Sequence, residues 1–174
     1  GIPRDELLNY MREAADALDY LFESHGLQHL DVKPENILLR GKHVKVADFG
    51  LLKDLQESCA SFVNGMTPKY SAPEVFGGKP GHHSDQYSLA VVYQEMLTGK
   101  LPFTGSNIAT LASQHVNATP DLTPLTPLDR FAVGKALSKS SDHRFPNCQA
   151  FVERLMYRSS TVLSPPLAKM GGAH

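Results

Sequence analysis

Asp31, Lys33 and Asn36 sit within one short stretch, His29-Leu30-Asp31-Val32-Lys33-Pro34-Glu35-Asn36-Ile37-Leu38-Leu39, and a second carboxylate, Asp48, follows twelve positions after Asn36. These residue types suit phosphoryl transfer to a hydroxyl. That reaction needs a carboxylate to orient the attacking hydroxyl and accept its proton, and hard oxygen ligands for Mg²⁺ on the phosphates. It also gains from a cation near the transferred group, whose negative charge spreads over three oxygens. Asp31 fits the first role, Asn36 and Asp48 the second, and Lys33 the third. Taken singly, each residue has a plainer reading as a loop carboxylate or turn former.

The elements around these groups decide whether they can meet. Residues 4–24 place Leu7, Leu8, Met11, Ala14, Ala15, Leu18, Leu21 and Phe22 on one helical stripe, closed by Gly26. The stretch from Gln28 to Asn36 reads as loop. Two short apolar runs on either side of Gly41 and Lys42 predict a β-hairpin, which folds Asp48 back beside Asn36. From Asp48 to Glu74 no period holds, and turn formers predict one long loop of the functional kind. Ser84–Gly99 is apolar nearly all round, a buried helix capped by Ser84 or Asp85. Further helices are predicted over about 106–115, from Thr126 with Asp129 completing a capping box, and from Asn147. The fold class is therefore mainly α with one small β-hairpin, and the Pro- and Gly-rich tail 159–174 is expected to be disordered.

Composition bounds the class. The chain has 174 residues, 41% hydrophobic and 20% charged, enough for one packed core. A net charge of −1, with no run of Lys or Arg, argues against nucleic acid as the main partner. No apolar stretch reaches the length of a membrane span, and the N-terminus lacks a signal-peptide core, so a cytoplasmic setting is expected, alone or as part of a larger protein. Cys59 and Cys148 have no metal or redox spacing and read as reduced thiols, and the adjacent His82 and His83 read as a solvated pair.

The motifs together resemble the eukaryotic-type serine/threonine protein kinases. His29–Asn36 is similar to their catalytic loop, Asp48-Phe49-Gly50 to their metal-binding triplet, and Ala72-Pro73-Glu74 to the end of their activation segment. The order and spacing agree over Arg4 to Arg158. The resemblance implies roles: Asp31 as catalytic base, Lys33 near the γ-phosphate of ATP, Asn36 and Asp48 as ligands of Mg²⁺, with Mn²⁺ as an alternative ion. It further implies Leu38 beneath the adenine, His29 and Phe49 in an internal apolar column anchored by Asp85, and Glu74 paired with Arg144. Thr67-Pro68-Lys69-Tyr70-Ser71-Ala72-Pro73-Glu74 is similar to the serine/threonine version of the segment. Thr67 is then expected to bond toward Asp31 and Lys33, and Met66 to border the pocket for the residue after the acceptor. Protein substrates presenting Ser or Thr follow.

Four departures stand out. Leu30 replaces the arginine that in this family grips a phosphorylated activation loop, so activation independent of Ser58 and Ser61 is expected. Met66 and Ala90 stand where glycines are usual. No G-x-G-x-x-G occurs, and only 28 residues precede His29. Residues 1–158 are therefore expected to be a C-terminal lobe, part of a complete α+β kinase domain. The N-terminal lobe that would partner it in the full-length protein is absent from the chain, and such a piece is expected to be inactive by itself. The absence of an initiator Met points to a fragment or a processed chain. An interaction module that transfers nothing is the competing reading. A small-molecule phosphotransferase is opposed by the Ala72-Pro73-Glu74 segment.

Overall fold

A computed structural model describes residues 1–41, 43–48, 53–54 and 67–157. Helix α1 (Arg4–His25) buries Leu7, Leu8, Met11, Ala14, Ala15 and Leu18 on one face. It stops at Gly26, whose φ of 65° is a left-handed conformation that a side chain would strain, and whose N–H returns to the Phe22 carbonyl. β2 (Ile37–Arg40) and β3 (His43–Val46) form the expected antiparallel hairpin, in register from Ile37 opposite Val46 to Arg40 opposite His43. Glu13 of α1 accepts the Val44 N–H at 2.6 Å and so fastens the hairpin to the helix.

The long loop expected over 48–74 is corrected at two places. β1 (Leu27–Gln28) pairs antiparallel with β4 (Lys53–Asp54), and α2 (Pro73–Phe76) begins before the loop's expected end. Both elements are too short for a hydrophobic period to show. Pro73 starts α2 because its missing N–H and fixed φ suit a first helical position.

Helix α3 (Ser84–Thr98) is the core of the molecule. Tyr87, Leu89, Ala90, Val91, Val92 and Tyr93 are all fully buried. Helices α1, α5 (Pro127–Ala136) and α6 (Cys148–Met156) pack against it, and α4 (Ile108–Asn117) packs against α2. Asn107, Thr126 and Asn147 cap their helices by accepting the N–H three residues on. No side chain caps α3: the expected caps Ser84 and Asp85 lie inside the helix and bond elsewhere. The capping box of α5 is half formed. Asp129 turns to Arg4 instead, 2.6 Å from Nη2, and Arg4 also donates to the Leu155 carbonyl at 2.7 Å. One guanidinium thus joins the start of α1 to α5 and to the end of α6. Asp19 of α1 accepts the N–H groups of Cys148 and Gln149 at 2.9 and 2.8 Å, holding the first turn of α6 from outside. The Cys148 thiol is free and buried. Among the described residues no helix is long and apolar enough to cross a membrane.

Candidate functional site

The loop between β1 and β2 is shaped from α3. Asp85 accepts the N–H of His29 at 2.8 Å on one oxygen and that of Leu30 at 2.7 Å on the other. Burial pushes the Asp85 carboxyl up, and the two N–H donors oppose it. Leu30 adopts a φ of 61°, a left-handed backbone costing a branched side chain about 1–2 kcal/mol. The bond to Asp85 helps to hold it there. His29 is fully buried. Its Nδ1 accepts the Asp31 N–H at 3.3 Å, so its ring proton is on Nε2, 2.9 Å from the Ala47 carbonyl. The same Ala47 donates its N–H to the Asn36 carbonyl at 2.8 Å. The end of the hairpin is therefore tied to both sides of the loop, one residue before Asp48.

Three side chains converge on the Asp31 carboxylate. Its Oδ1 accepts the Thr67 hydroxyl at 2.7 Å, and its Oδ2 lies 2.6 Å from Lys33 Nζ and 3.1 Å from Asn36 Nδ2. Lys33 also donates to Thr67 Oγ1 at 3.1 Å, which closes a ring of three residues. Asn36 Nδ2 donates to the Asp31 carbonyl as well, at 2.9 Å, so the amide hydrogens are spent on Asp31 and Oδ1 is left as the acceptor. Asp48 follows β3 with a φ of 59°. Leu38 is half exposed on β2. Phe49 and Met66 lie outside the described residues, as do Cys59, Ser58, Ser61 and the tail.

Among the described residues no three His, Cys, Asp or Glu side chains are grouped to enclose a metal. Asn36 and Asp48 carry an amide oxygen and a carboxylate, hard oxygen donors of the type that suits a divalent cation sharing its remaining positions with water and phosphate.

A buried ion pair ties α2 to the segment between α5 and α6. Glu74 of α2 meets Arg144 through two parallel bonds of 2.7 and 2.8 Å, and Arg144 has no exposed side-chain surface. Burial works against ionisation of Glu74, yet the Arg144 bonds and charge outweigh it and hold the carboxyl below its ordinary value. Arg144 also donates to the carbonyls of Ser138 and His83. Ser84, expected as a helix cap, donates to Glu74 at 2.8 Å instead. Gln86 went unnoticed in the sequence. Its buried amide donates to the carbonyls of Phe145 and Asn147 and accepts the Phe145 N–H, fixing the turn after Arg144. Tyr70, which donates to Glu95 at 2.7 Å, was likewise legible only as part of a motif.

A family model described as "Protein kinase domain" matches residues 1–161. Serine/threonine-protein kinase PknF of Mycobacterium tuberculosis is 36% identical over 172 residues, covering 91% of this chain and 36% of that protein. The probable serine/threonine-protein kinase PknB of Lactococcus lactis is 31% identical over 168 residues, covering 94% of this chain and 27% of its own length. Serine/threonine-protein kinase AtPK1/AtPK6 of Arabidopsis thaliana is 43% identical over 110 residues, 61% of this chain and 23% of that protein. The chain thus spans well under half of the curated relatives it matches.

Proposed function

Because this chain belongs to the protein kinase domain family, with its helix-rich fold, we propose that residues 1–158 form the C-terminal lobe of a serine/threonine protein kinase. The whole protein would transfer the γ-phosphate of ATP to Ser and Thr hydroxyls of other proteins. The single observation that carries this reading is the convergence of Thr67, Lys33 and Asn36 on Asp31. ATP and a divalent metal, used across the family, would supply the phosphoryl group and neutralise its charge, with Asn36 and Asp48 holding Mg²⁺. Asp31 orients the acceptor hydroxyl and takes its proton through the oxygen that now accepts from Thr67. Lys33 places a cation beside the other oxygen, Oδ2. Thr67 shapes a floor for a short hydroxyl side chain, and Leu38 offers apolar surface to the adenine. His29 and Asp85 keep the loop in shape, with Phe49 completing the apolar column, while Met66 borders the floor and Glu74 with Arg144 clamps it. The 174 residues contain no G-x-G-x-x-G, so by themselves they are expected to bind ATP weakly. A cytoplasmic setting suits the supply of ATP.

The test uses the full-length protein with Mg²⁺, radiolabelled ATP and matched peptides bearing Ser, Thr or Tyr. Label should appear on Ser and Thr and be negligible on Tyr. Nucleotide binding without transfer to any peptide would replace this reading with that of an interaction module. A second expectation concerns Leu30, which has no charge to offer a phosphate. The Ser58→Ala/Ser61→Ala double variant of the full-length protein should retain its activity after phosphatase treatment, and loss of activity would show that segment phosphorylation is required.

A further inference from the structure

A cavity of about 210 Å³ opens where the second half of α1 meets the starts of α3 and α6. A cavity of about 150 Å³ already takes a benzene ring, so this one has room for a side chain from outside. Leu18 and Phe22, one turn apart on α1, and the buried Cys148 give it an apolar lining. The Phe22 ring stacks on that of exposed His82, with centroids 5.3 Å apart and planes 20° apart. Flat aromatic surface therefore stands where the cavity meets solvent.

The charged lining has one sign. Asp19, Glu23 and Asp85 supply carboxylates, and no Lys or Arg lines the cavity among the described residues. Burial raises the Asp85 carboxyl and the Asp19 charge adds to the rise. Burial also pushes the Cys148 thiol well up, helped by both carboxylates, so these groups act on one another across one space. Asp19 accepts one backbone N–H on each oxygen, which leaves lone pairs for a further donor. Glu23 lies one turn from Asp19 and has no partner among the described residues. Like charges held this close repel, and an incoming cation would relieve them. A guanidinium suits the walls as well as the charge. It stacks flat on aromatic rings, its fork of donors reaches carboxylates at two points, and its stem is apolar. An ammonium is a point charge with no face to stack. Tyr20, 63% exposed and one turn before Glu23, carries apolar surface beyond the rim for a residue flanking the cation.

We propose that this cavity is a docking site for an arginine side chain of a partner protein, its guanidinium held by the Phe22–His82 rings and by Asp19 and Glu23. The inference goes beyond the kinase reading and does not need it, since Asp31, Lys33 and Asn36 do not line the cavity. The experiment measures Kd by calorimetry for the full-length protein at fixed ionic strength. The probe is the peptide acetyl-Gly-Leu-Arg-Leu-Gly-amide, which has no phosphate acceptor, beside versions with lysine or uncharged citrulline in place of arginine. The arginine peptide should bind, the lysine peptide should bind more weakly, and the citrulline peptide should lose about tenfold or more with its charge-assisted bonds. Glu23→Gln should weaken the arginine peptide about two- to fivefold, the worth of a partly exposed pair, and His82→Ala by a similar factor. Both replaced side chains are exposed, so the fold should survive. Glu153→Gln, an exposed carboxylate on α6 outside the cavity, should change nothing. No binding at millimolar peptide, equal binding of the citrulline or lysine peptide, or an equal loss in Glu153→Gln and Glu23→Gln would overturn the proposal. Ethylguanidinium that binds as tightly as the peptide would overturn it in favour of a small-molecule site.

Discussion

Replacing Asp31 with asparagine is expected to lower kcat of the full-length protein by about 10²–10⁴-fold, the usual worth of a positioned general base. Asparagine keeps the shape and one acceptor oxygen, so the Thr67 hydroxyl can still be held. The other arm becomes an amide that faces Lys33 Nζ and Asn36 Nδ2, both donors, where Oδ2 had accepted at 2.6 and 3.1 Å. Lys33 is partly exposed and can swing toward water, so the fold should survive with a modest fall in Tm. KM for ATP should barely move if Asp31 serves the acceptor side, as proposed. Single-turnover assays with a Ser peptide, beside a nucleotide-binding titration, separate the two. Transfer within about tenfold of wild type would remove Asp31 from the role of base.

Breaking the Glu74–Arg144 pair should have the largest effect on stability. Arg144 is sealed from solvent, so Arg144→Met removes a buried charge and leaves Glu74 without its cation, while Glu74→Gln strands the guanidinium. Either single change is expected to cost about 3–5 kcal/mol in urea unfolding. The double variant Glu74→Leu/Arg144→Met should lose less than the sum of the singles, since no charge is left unpaired. The linkage has a definite sign. Glu74 is held below its ordinary carboxylate value when folded, so the unfolded chain binds its proton more readily. Its contribution is complete above the ordinary carboxylate range and fades as pH falls through the depressed value. Glu74→Gln should flatten that part of the acid limb. Singles that cost under about 1 kcal/mol would mean that the pair behaves as an exposed one.

What could be read without coordinates was what lies contiguous along the chain. The His29–Asn36 loop, the hairpin and the stripe of α1 each carry a pattern within a dozen or so residues, and periodicity resolves them. The capping box at Thr126 and Asp129 was a local pattern too, and it misled. Arg4 lies 125 positions from Asp129 and offers a charge that the Thr126 N–H cannot match. Asp19 holding α6 from α1, Gln86 fixing the turn at Phe145 and Ser84 supporting Glu74 share this character. Each is a polar side chain whose partner is chosen by how helices pack, and no spacing rule encodes that. The short strand β4 was missed for the opposite reason, since two residues hold no period.

The left-handed Leu30 has a consequence for how the protein is made. Its backbone is pinned by a carboxylate 55 positions later, so the loop between β1 and β2 is not organised by its own neighbours alone. During synthesis the loop leaves the ribosome well before α3 does, and closing so long a span is slow beside local helix formation. A nascent chain therefore carries Asp31, Lys33 and Asn36 in order, while the full shape of their loop waits until the central helix has emerged.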